Sequence, residues 1–307
     1  MTTAKLHLDF IALGAQKAGT TTLHDWLAVH PGIAVPVFKE THFFADAQIF
    51  SGGAAWYKAQ FAKDTPGKII GEVDPEYLFS RNAPERIKTF SDAARFIILL
   101  RHPLERALSQ YHMSRRRGYE PLSFREALEC EPERLSNDPD GFAHDHHSYT
   151  ARSLYCDQIE RYRQTFPKAA FLIKRSDRLD QEVYQEICEY VQVKPMPETV
   201  DFDARSNPAS EAKSSALRDA LYAPRGKSAF RRVVVKMIPR SVKRRVFLAL
   251  DGMNQQPLSE EKAAILASAP RTVLAAMHAD LEQLEPLTGL DLSDWRKDLA
   301  DRLEGAT

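Results

Sequence analysis

Apolar residues in the first two-thirds of the chain fall into short unbroken runs, separated by stretches in which they recur every three or four positions. The first run is Phe10-Ile11-Ala12-Leu13. Thr20 to His30 follows, with Leu23, Trp26, Leu27 and His30 on one helical face, and Pro31-Gly32 stops it. Ile33 to Val37, Lys68 to Val73, Arg95 to Leu100 and Phe171 to Lys174 read as further strands. A helix is predicted from Pro103, a residue suited to a first turn, with Leu104, Leu108, Tyr111 and His112 at helical spacing. Two more are predicted over Thr150 to Phe166 and Asp177 to Val191. Apolar strands alternating with helices predict an α/β fold, a central parallel sheet flanked by helices on both faces. Ligands of such sheets bind beyond the carboxyl ends of the strands, so the loops after Leu13, Val37, Val73 and Leu100 are the places to expect chemistry.

Beyond residue 200 the pattern changes. Pro, Ser, Asn and Gly gather between Asp201 and Lys227, a linker or a lid over the site, with Asn207, Ser210 and Lys213 as candidate contacts. From Ala220 to Leu250 there are nine basic residues, Arg225 to Arg245, and no acidic one. Such a stretch is a solvated helical face, or else a surface for an anionic partner such as a lipid headgroup layer or a charged glycan. Pro257 to Arg302 is mostly helical in pattern, with Leu281, Leu284 and Leu287 among its apolar positions. No internal repeat appears, so the expectation is one domain over residues 1–307. Within it, 201–257 form a lid and basic insertion, and 258–307 a helical C-terminal region.

Charge and cysteine usage narrow the field. With 42 Lys+Arg against 42 Asp+Glu the formal net charge is zero, which excludes a basic nucleic-acid coat and a one-signed disordered chain. At 43% hydrophobic and 27% charged residues, the composition is that of a globular protein with a sizeable core. Cys130, Cys156 and Cys188 are an odd count at unrelated spacings, which fits a reducing compartment rather than a disulfide framework. The longest apolar stretches, such as Phe96 to Leu100, are too short to span a bilayer, and Lys5, His7 and Asp9 interrupt any secretory signal pattern. The expected location is the cytoplasm, with a peripheral membrane contact through the basic 225–245 segment as an added expectation.

The first candidate site is the loop Gly14-Ala15-Gln16-Lys17-Ala18-Gly19-Thr20-Thr21 between the first strand and its helix. Small residues let main-chain N–H groups turn inward, and the helix N-terminus favours an anion. A nucleotide-phosphate loop of the kinase type would carry a lysine after its second glycine; here Thr20 stands there and the lysine lies inside the loop at Lys17. A plain strand-to-helix turn capped by Thr20 also satisfies this segment. The second candidate is Arg101-His102-Pro103-Leu104-Glu105-Arg106-Ala107-Leu108-Ser109, after the most strand-like run. The guanidinium fork of Arg101 at the strand's carboxyl end and the Ser109 hydroxyl eight residues on, in the helix, suit phosphate oxygens.

Together the two segments resemble those of the sulfotransferases that use 3′-phosphoadenosine 5′-phosphosulfate (PAPS). That family carries a lysine-bearing loop for the 5′-phosphosulfate and an R-[DN]-P-x-x-R-x-x-S segment for the 3′-phosphate. Gln16 to Thr21 match the first, and Arg101, Pro103, Arg106 and Ser109 match the second, with His102 in place of the usual Asp or Asn. Phe38-Lys39-Glu40-Thr41-His42-Phe43-Phe44 is similar to the K-E-x-H-F-F segment of the heparan-sulfate-type branch and its bacterial relatives. Gly71 to Leu78 is similar to G-E-x-[ST]-P-x-Y-L, with Asp74 replacing the hydroxyl residue and Val73 standing where some relatives carry a lysine. The resemblance covers roughly the first two-thirds of the chain.

It implies a P-loop-like sheet, PAPS as donor and adenosine 3′,5′-bisphosphate (PAP) as product. Gln16, Lys17, Ala18, Gly19, Thr20, Thr21, Arg101 and Ser109 would hold the donor. Lys17 would neutralise charge on the leaving oxygens and Glu40 would be the general base. His42, two residues on, would share a face with Glu40 on an extended segment after the second strand and orient it or the acceptor. The acceptor class, a glycan, lipid or small-molecule hydroxyl or amine, stays open. Two other readings stand beside this one: a P-loop kinase or NTPase, which gives no account of Arg101 to Ser109, and a non-catalytic nucleotide-binding protein. The run His144-Asp145-His146-His147 lacks the spacing of a zinc enzyme and is expected to be a polar loop, so no metal is expected.

Overall fold

A computed structural model describes residues 7–62, 65–90, 95–139, 141–202, 210–212, 214, 253, 255–257 and 262–305. Five parallel strands form the centre: β1 (Phe10–Gly14), β2 (Ile33–Ala34), β3 (Ile69–Val73), β4 (Arg95–Leu100) and β5 (Phe171–Arg175), side by side as β2-β3-β1-β4-β5. β1 lies in the middle, with Phe10 in register with Gly71 of β3 on one side and Arg95 of β4 on the other. Every residue of β1 is buried, as are Phe96 to Leu100 of β4, the signature of strands covered on both faces. From β1 the chain runs out to β2, returns to β3, then crosses β1 to β4. The loops at the carboxyl ends of β3, β1 and β4 therefore meet at one edge of the sheet.

Helices between the strands are α1 (Thr20–Ala28), α2 (Ala47–Phe50), α3 (Gly53–Lys58), α4 (Glu76–Phe79), α5 (Ala83–Phe90), α6 (Pro103–Arg116), α7 (Phe124–Asn137), α8 (Phe142–His146), α9 (Cys156–Thr165) and α10 (Gln181–Tyr190). The α/β expectation holds, and the helix from Pro103 begins where the proline predicts. β2 is shorter than the apolar run Ile33 to Val37, since Pro36 has no N–H for a ladder. The predicted helix over Thr150 to Phe166 is two pieces: a 3₁₀ turn at Ala151–Ser153, then α9. The Glu131 carboxylate accepts the N–H groups of Thr150 and Ala151, and Asp280 accepts those of Tyr155 and Cys156. Each piece is thus capped separately from elsewhere in the fold. The helix predicted from Asp177 begins later, where the Asp180 side chain accepts from Val183 N–H. His144 to His146 lie on α8 and not in a loop, and among the described residues no group of His, Cys, Asp and Glu is arranged to hold a metal ion.

The helical C-terminal region is made of Lys262–Ala267, Arg271–Thr288 and Ser293–Gly305. Arg175, at the end of β5, ties it to the sheet: its guanidinium donates to both oxygens of Asp294 at 2.7 and 2.6 Å and lies 4.5 Å from the Trp295 ring centre. Two short antiparallel strands, Ser210–Ala212 and Gln255–Pro257, pair with each other, and the first lies beside α6. The basic 225–245 segment, Asn207 and Lys213 lie outside the described residues.

Gly71 is where the sheet tolerates no side chain. A Cβ there would stand 2.2 Å from atoms of the Phe10 ring, itself wholly buried between β3 and β4. Gly71→Ala is expected to lower stability by about 1–3 kcal/mol by overpacking, read as a lower denaturation midpoint at unchanged slope.

Candidate functional site

The loop after β1 is built around three residues of left-handed or unusual backbone. Gly14 has φ 156°, Lys17 φ 71° and Gly19 φ 81°. Gly19, not Thr20, is the N-cap of α1, and it caps without a side chain; Thr20 is the first helical residue and is buried. The first turn of α1 carries no acidic residue, so the positive end of the helix is left for an external anion. From beneath, two arginines of α6 and its approach hold the loop's carbonyls: Arg101 Nη1 donates to Lys17 O at 3.3 Å and Arg106 Nη1 to Gln16 O at 3.4 Å. Gln16 Nε2 donates to Glu76 Oε1 at 2.6 Å, and Arg152 Nη2 donates to the other oxygen of the same carboxylate at 2.7 Å.

The two arginines of the second segment have different jobs. Arg106 is fully buried, its Nε donating to Ser153 Oγ at 2.6 Å and its Nη2 to Gln110 Oε1 at 2.9 Å and to Tyr149 O at 2.5 Å. Its fork is spent on the protein, so it braces the site and does not face a ligand. Arg101 is 31% exposed and ion-paired with Glu105 at 3.2 Å, and Glu105 in turn holds Lys262 at 2.6 Å. Ser109 is half-buried on α6, and Thr21 half-buried on α1.

The third segment is held by the end of β3. Glu72 and Asp74 are two residues apart, so both side chains leave the strand on one face, and both are fully buried. Glu72 accepts from Thr41 N–H at 3.3 Å, from the Thr41 hydroxyl, from Tyr57 OH at 2.6 Å and from Tyr77 OH at 3.1 Å. Asp74 Oδ2 accepts the main-chain N–H of His42 at 2.6 Å and lies 3.3 Å from His42 Nδ1; its Oδ1 accepts from Glu76 N–H at 3.1 Å. Glu40 and His42 are not on an extended segment. Both are left-handed, at φ 67° and 53°, and this kinked backbone turns His42 Nε2 to within 3.9 Å of Glu40 Oε2. Lys39 Nζ donates to Glu40 Oε1 at 2.5 Å. Phe43 and Phe44 are core residues, packed with Tyr57, Tyr77 and Phe90.

Among the described residues, four non-glycine residues have positive φ: Lys17, Glu40, His42 and Gln192. Such backbone costs about 1–3 kcal/mol at a residue and persists where the surroundings over-determine it, a pattern concentrated at functional sites. Three of the four are the residues that the sequence marks as catalytic.

A sequence profile described as a sulfotransferase domain matches residues 8–212. The chain belongs to the sulfotransferase family. It is 29% identical over 178 residues to heparan sulfate glucosamine 3-O-sulfotransferase 5 of Mus musculus, covering 58% of this chain and 50% of that protein. It is 40% identical over 109 residues to the membrane-associated sulfotransferase kil1 of Dictyostelium discoideum, covering 34% of this chain and 23% of that protein. The chain thus spans half the length, or less, of these two curated relatives. A crystal structure of a sulfotransferase from Alicyclobacillus acidocaldarius shares the fold, with a TM-score of 0.62 and 23% identity over 95% of this chain and 99% of that one.

Electrostatics of the site follow from burial and from the charges that its residues share. Burial pushes the Lys17 ammonium down to about 8, Arg117, Arg116 and Arg101 push the same way, and Glu40 opposes them. Burial works against the Glu40 carboxylate, but its ion pair and hydrogen bond with Lys39, then His42 and Arg117, hold it below the usual carboxylate range. For His42, burial is outweighed by Asp74, with Glu40 and Glu76 adding to it, and the imidazolium persists to about 10. Glu72 is pushed up to about 7, first by burial and then by Asp74. Sequence reading missed Arg116 and Arg117, at the end of α6, and the pairing of Asp74 with His42. The first lay in plain sight as the run Arg115-Arg116-Arg117; the second had a signal in two acids two residues apart at a strand end.

The division of labour between the arginines is testable. Arg106→Leu strands buried acceptors at Gln110, Ser153 and Tyr149, and is expected to cost at least about 2 kcal/mol in chemical denaturation. Arg101→Ala is expected to leave that midpoint within about 0.5 kcal/mol, while calorimetric binding of PAP is lost.

Proposed function

We propose that the protein transfers a sulfuryl group from PAPS to an acceptor hydroxyl by in-line displacement. The observation that carries this reading is the convergence of Lys17, Glu40 and His42, each on strained left-handed backbone, at the edge where β1, β3 and β4 end. The cradle suits a doubly phosphorylated donor. The uncapped start of α1 and Lys17 receive the 5′-phosphosulfate, with main-chain groups of Gln16, Ala18 and Gly19 and the hydroxyls of Thr20 and Thr21 as partners. Arg101 and Ser109 receive the 3′-phosphate. Lys39, Arg116 and Arg117 add to the positive field that draws such an anion in.

When bound, the donor supplies the sulfuryl group on a phosphate leaving group. Lys17 neutralises the charge that grows on that phosphate as its bond to sulfur breaks. The proton displaced from the acceptor oxygen as the new S–O bond forms goes to Glu40. A carboxylate flanked by Lys39 and His42 is a weak base, so it takes this proton late, as the acceptor oxygen loses basicity to sulfur. A carbohydrate hydroxyl is the acceptor we favour, supported by the similarity to glucosamine 3-O-sulfotransferases. A cytoplasmic setting for the described domain is part of the proposal.

Incubation with ³⁵S-labelled PAPS and a glycan and lipid extract tests it. Lys17→Ala and Glu40→Ala are each expected to lower label transfer at least ~100-fold, with PAP binding retained by Glu40→Ala and weakened by Lys17→Ala. Undiminished transfer by Lys17→Ala would sink the mechanism. A second expectation follows from the charge on Lys17. Its ammonium is present below about pH 8 and lost above it, so PAP affinity should fall as pH rises through that value. In Lys17→Met, that fall should vanish.

A further inference from the structure

We propose that Asp74 is a positioning residue for the transfer: by accepting the main-chain N–H of His42 and pairing with its ring Nδ1, it turns the imidazole so that Nε2 faces Glu40. This rests on the reading of Glu40 as the base, and it assigns a role to a residue that stands where the resembling segment carries a hydroxyl. Asp74 is itself fixed, since it is fully buried, its main-chain N–H donates to Ala12 O at 3.0 Å and its Oδ1 accepts from Glu76 N–H at 3.1 Å. Its Oδ2 then meets two groups of one residue, accepting from His42 N at 2.6 Å and pairing with Nδ1 at 3.3 Å. With Nδ1 committed there, Nε2 is the nitrogen left for the site, 3.9 Å from Glu40 Oε2. That separation is an ion-pair contact and too long for a hydrogen bond, as catalytic contacts often are before substrate closes them.

A serine or threonine hydroxyl at position 74 would offer a neutral, shorter partner, and the ring would lose its strongest counter-charge. With the carboxylate, His42 is a fixed cation near neutral pH and serves neither as base nor as acid. The charged groups that face it are Asp74 at the end of β3, Glu76 at the start of α4 and Glu40 from its own loop. Glu40 in turn faces Lys39, His42 and Arg117. The arrangement is therefore Asp74⁻–His42⁺–Glu40⁻, an alternation in which the outer buried charge holds the middle one in place and the middle one aims the reacting carboxylate. The His42 ring is 41% exposed, so water screens part of this coupling, but the Asp74 carboxylate is at 0% and is not screened on its own side.

Two measurements test the assignment, one of them independent of turnover. In the free protein, the His42 ring signal followed by NMR is expected to keep its proton to about pH 10 in the wild type. In Asp74→Asn, of the same shape without the charge, it is expected to titrate at least ~1 unit lower, toward the ordinary histidine value. The second is the pH profile of kcat/KM for sulfuryl transfer. Asp74→Asn should introduce a fall across the new His42 titration that the wild type lacks, with PAP binding unchanged, and Asp74→Glu should remove most of that fall. Asp74→Ser serves as a second neutral variant should Asn at this buried position unfold the protein, as thermal melting would show. An unmoved His42 titration in the folded neutral variants overturns the proposal. So does a shifted titration with an unaltered pH profile, which would leave Asp74 a purely structural partner. Absence of PAP binding by the wild type would instead sink the sulfotransfer reading, while the NMR result would still decide the Asp74–His42 pairing.

Discussion

Two buried carboxylates at the end of one strand govern the geometry of the site. Glu72 and Asp74 project from β3 into a place where water does not reach, and a carboxylate there must be met by hydrogen-bond donors. The donors come largely from the loop that follows β2: the N–H and hydroxyl of Thr41 for Glu72, and for Asp74 the N–H of His42, whose ring adds an ion pair. Satisfying those oxygens forces Glu40 and His42 into left-handed backbone on either side of Thr41. The cost of that conformation, about 1–3 kcal/mol for each residue, is smaller than that of leaving a buried charge unmet. The strain at Glu40 and His42 thus follows from hydrogen-bond satisfaction one layer deeper.

The phosphate loop obeys a parallel rule with the signs reversed. There the buried charge is Arg106, whose donors are taken up by Ser153, Gln110, Tyr149 and the Gln16 carbonyl. By gripping Gln16 O, and with Arg101 gripping Lys17 O, the α6 side of the sheet fixes the loop after β1 before any ligand arrives. Burial and neighbouring guanidinium groups then make Lys17 easy to deprotonate, and an incoming phosphate relieves both. One carboxylate pair at the end of β3 and one arginine pair beyond the end of β4, on either side of β1, prearrange the two halves of the site.

Much of this was legible from the residues in order. The strands were visible because β1 and β4 are buried on both faces and carry uninterrupted apolar runs, and Lys17, Glu40 and Arg101 were visible because their segments have type and spacing together. What order alone did not show was direction. Nothing in the spacing of Arg101 and Arg106 says that one guanidinium faces outward and the other is enclosed; that depends on Ser153 and Tyr149, some fifty residues away. The break in the predicted helix at Thr150 to Phe166 has the same origin, since the carboxylates that cap its two pieces come from Glu131 and Asp280. The left-handed backbone at Glu40 and His42 was hidden because neither residue is a glycine, and the period-two reading placed them on an extended segment.

Two of the departures from the family's motifs show how one substitution is absorbed near or far from the site. His102, where an Asp or Asn is usual, makes no side-chain cap on α6. Its ring instead lies 3.2 Å from Asp298 and packs edge-on against Trp295, so the turn bearing Arg101 leans on the Ser293–Gly305 helix. That same helix is bound to β5 through Arg175, Asp294 and Trp295, which makes the C-terminal region a brace for the turn that bears Arg101. Asp74 is absorbed locally, by the N–H and ring of the residue next but one to Glu40. A lost cap can be replaced by packing, which is indifferent to charge. A new buried carboxylate cannot; it must be met by donors or a counter-charge, and for Asp74 both come from His42, beside Glu40.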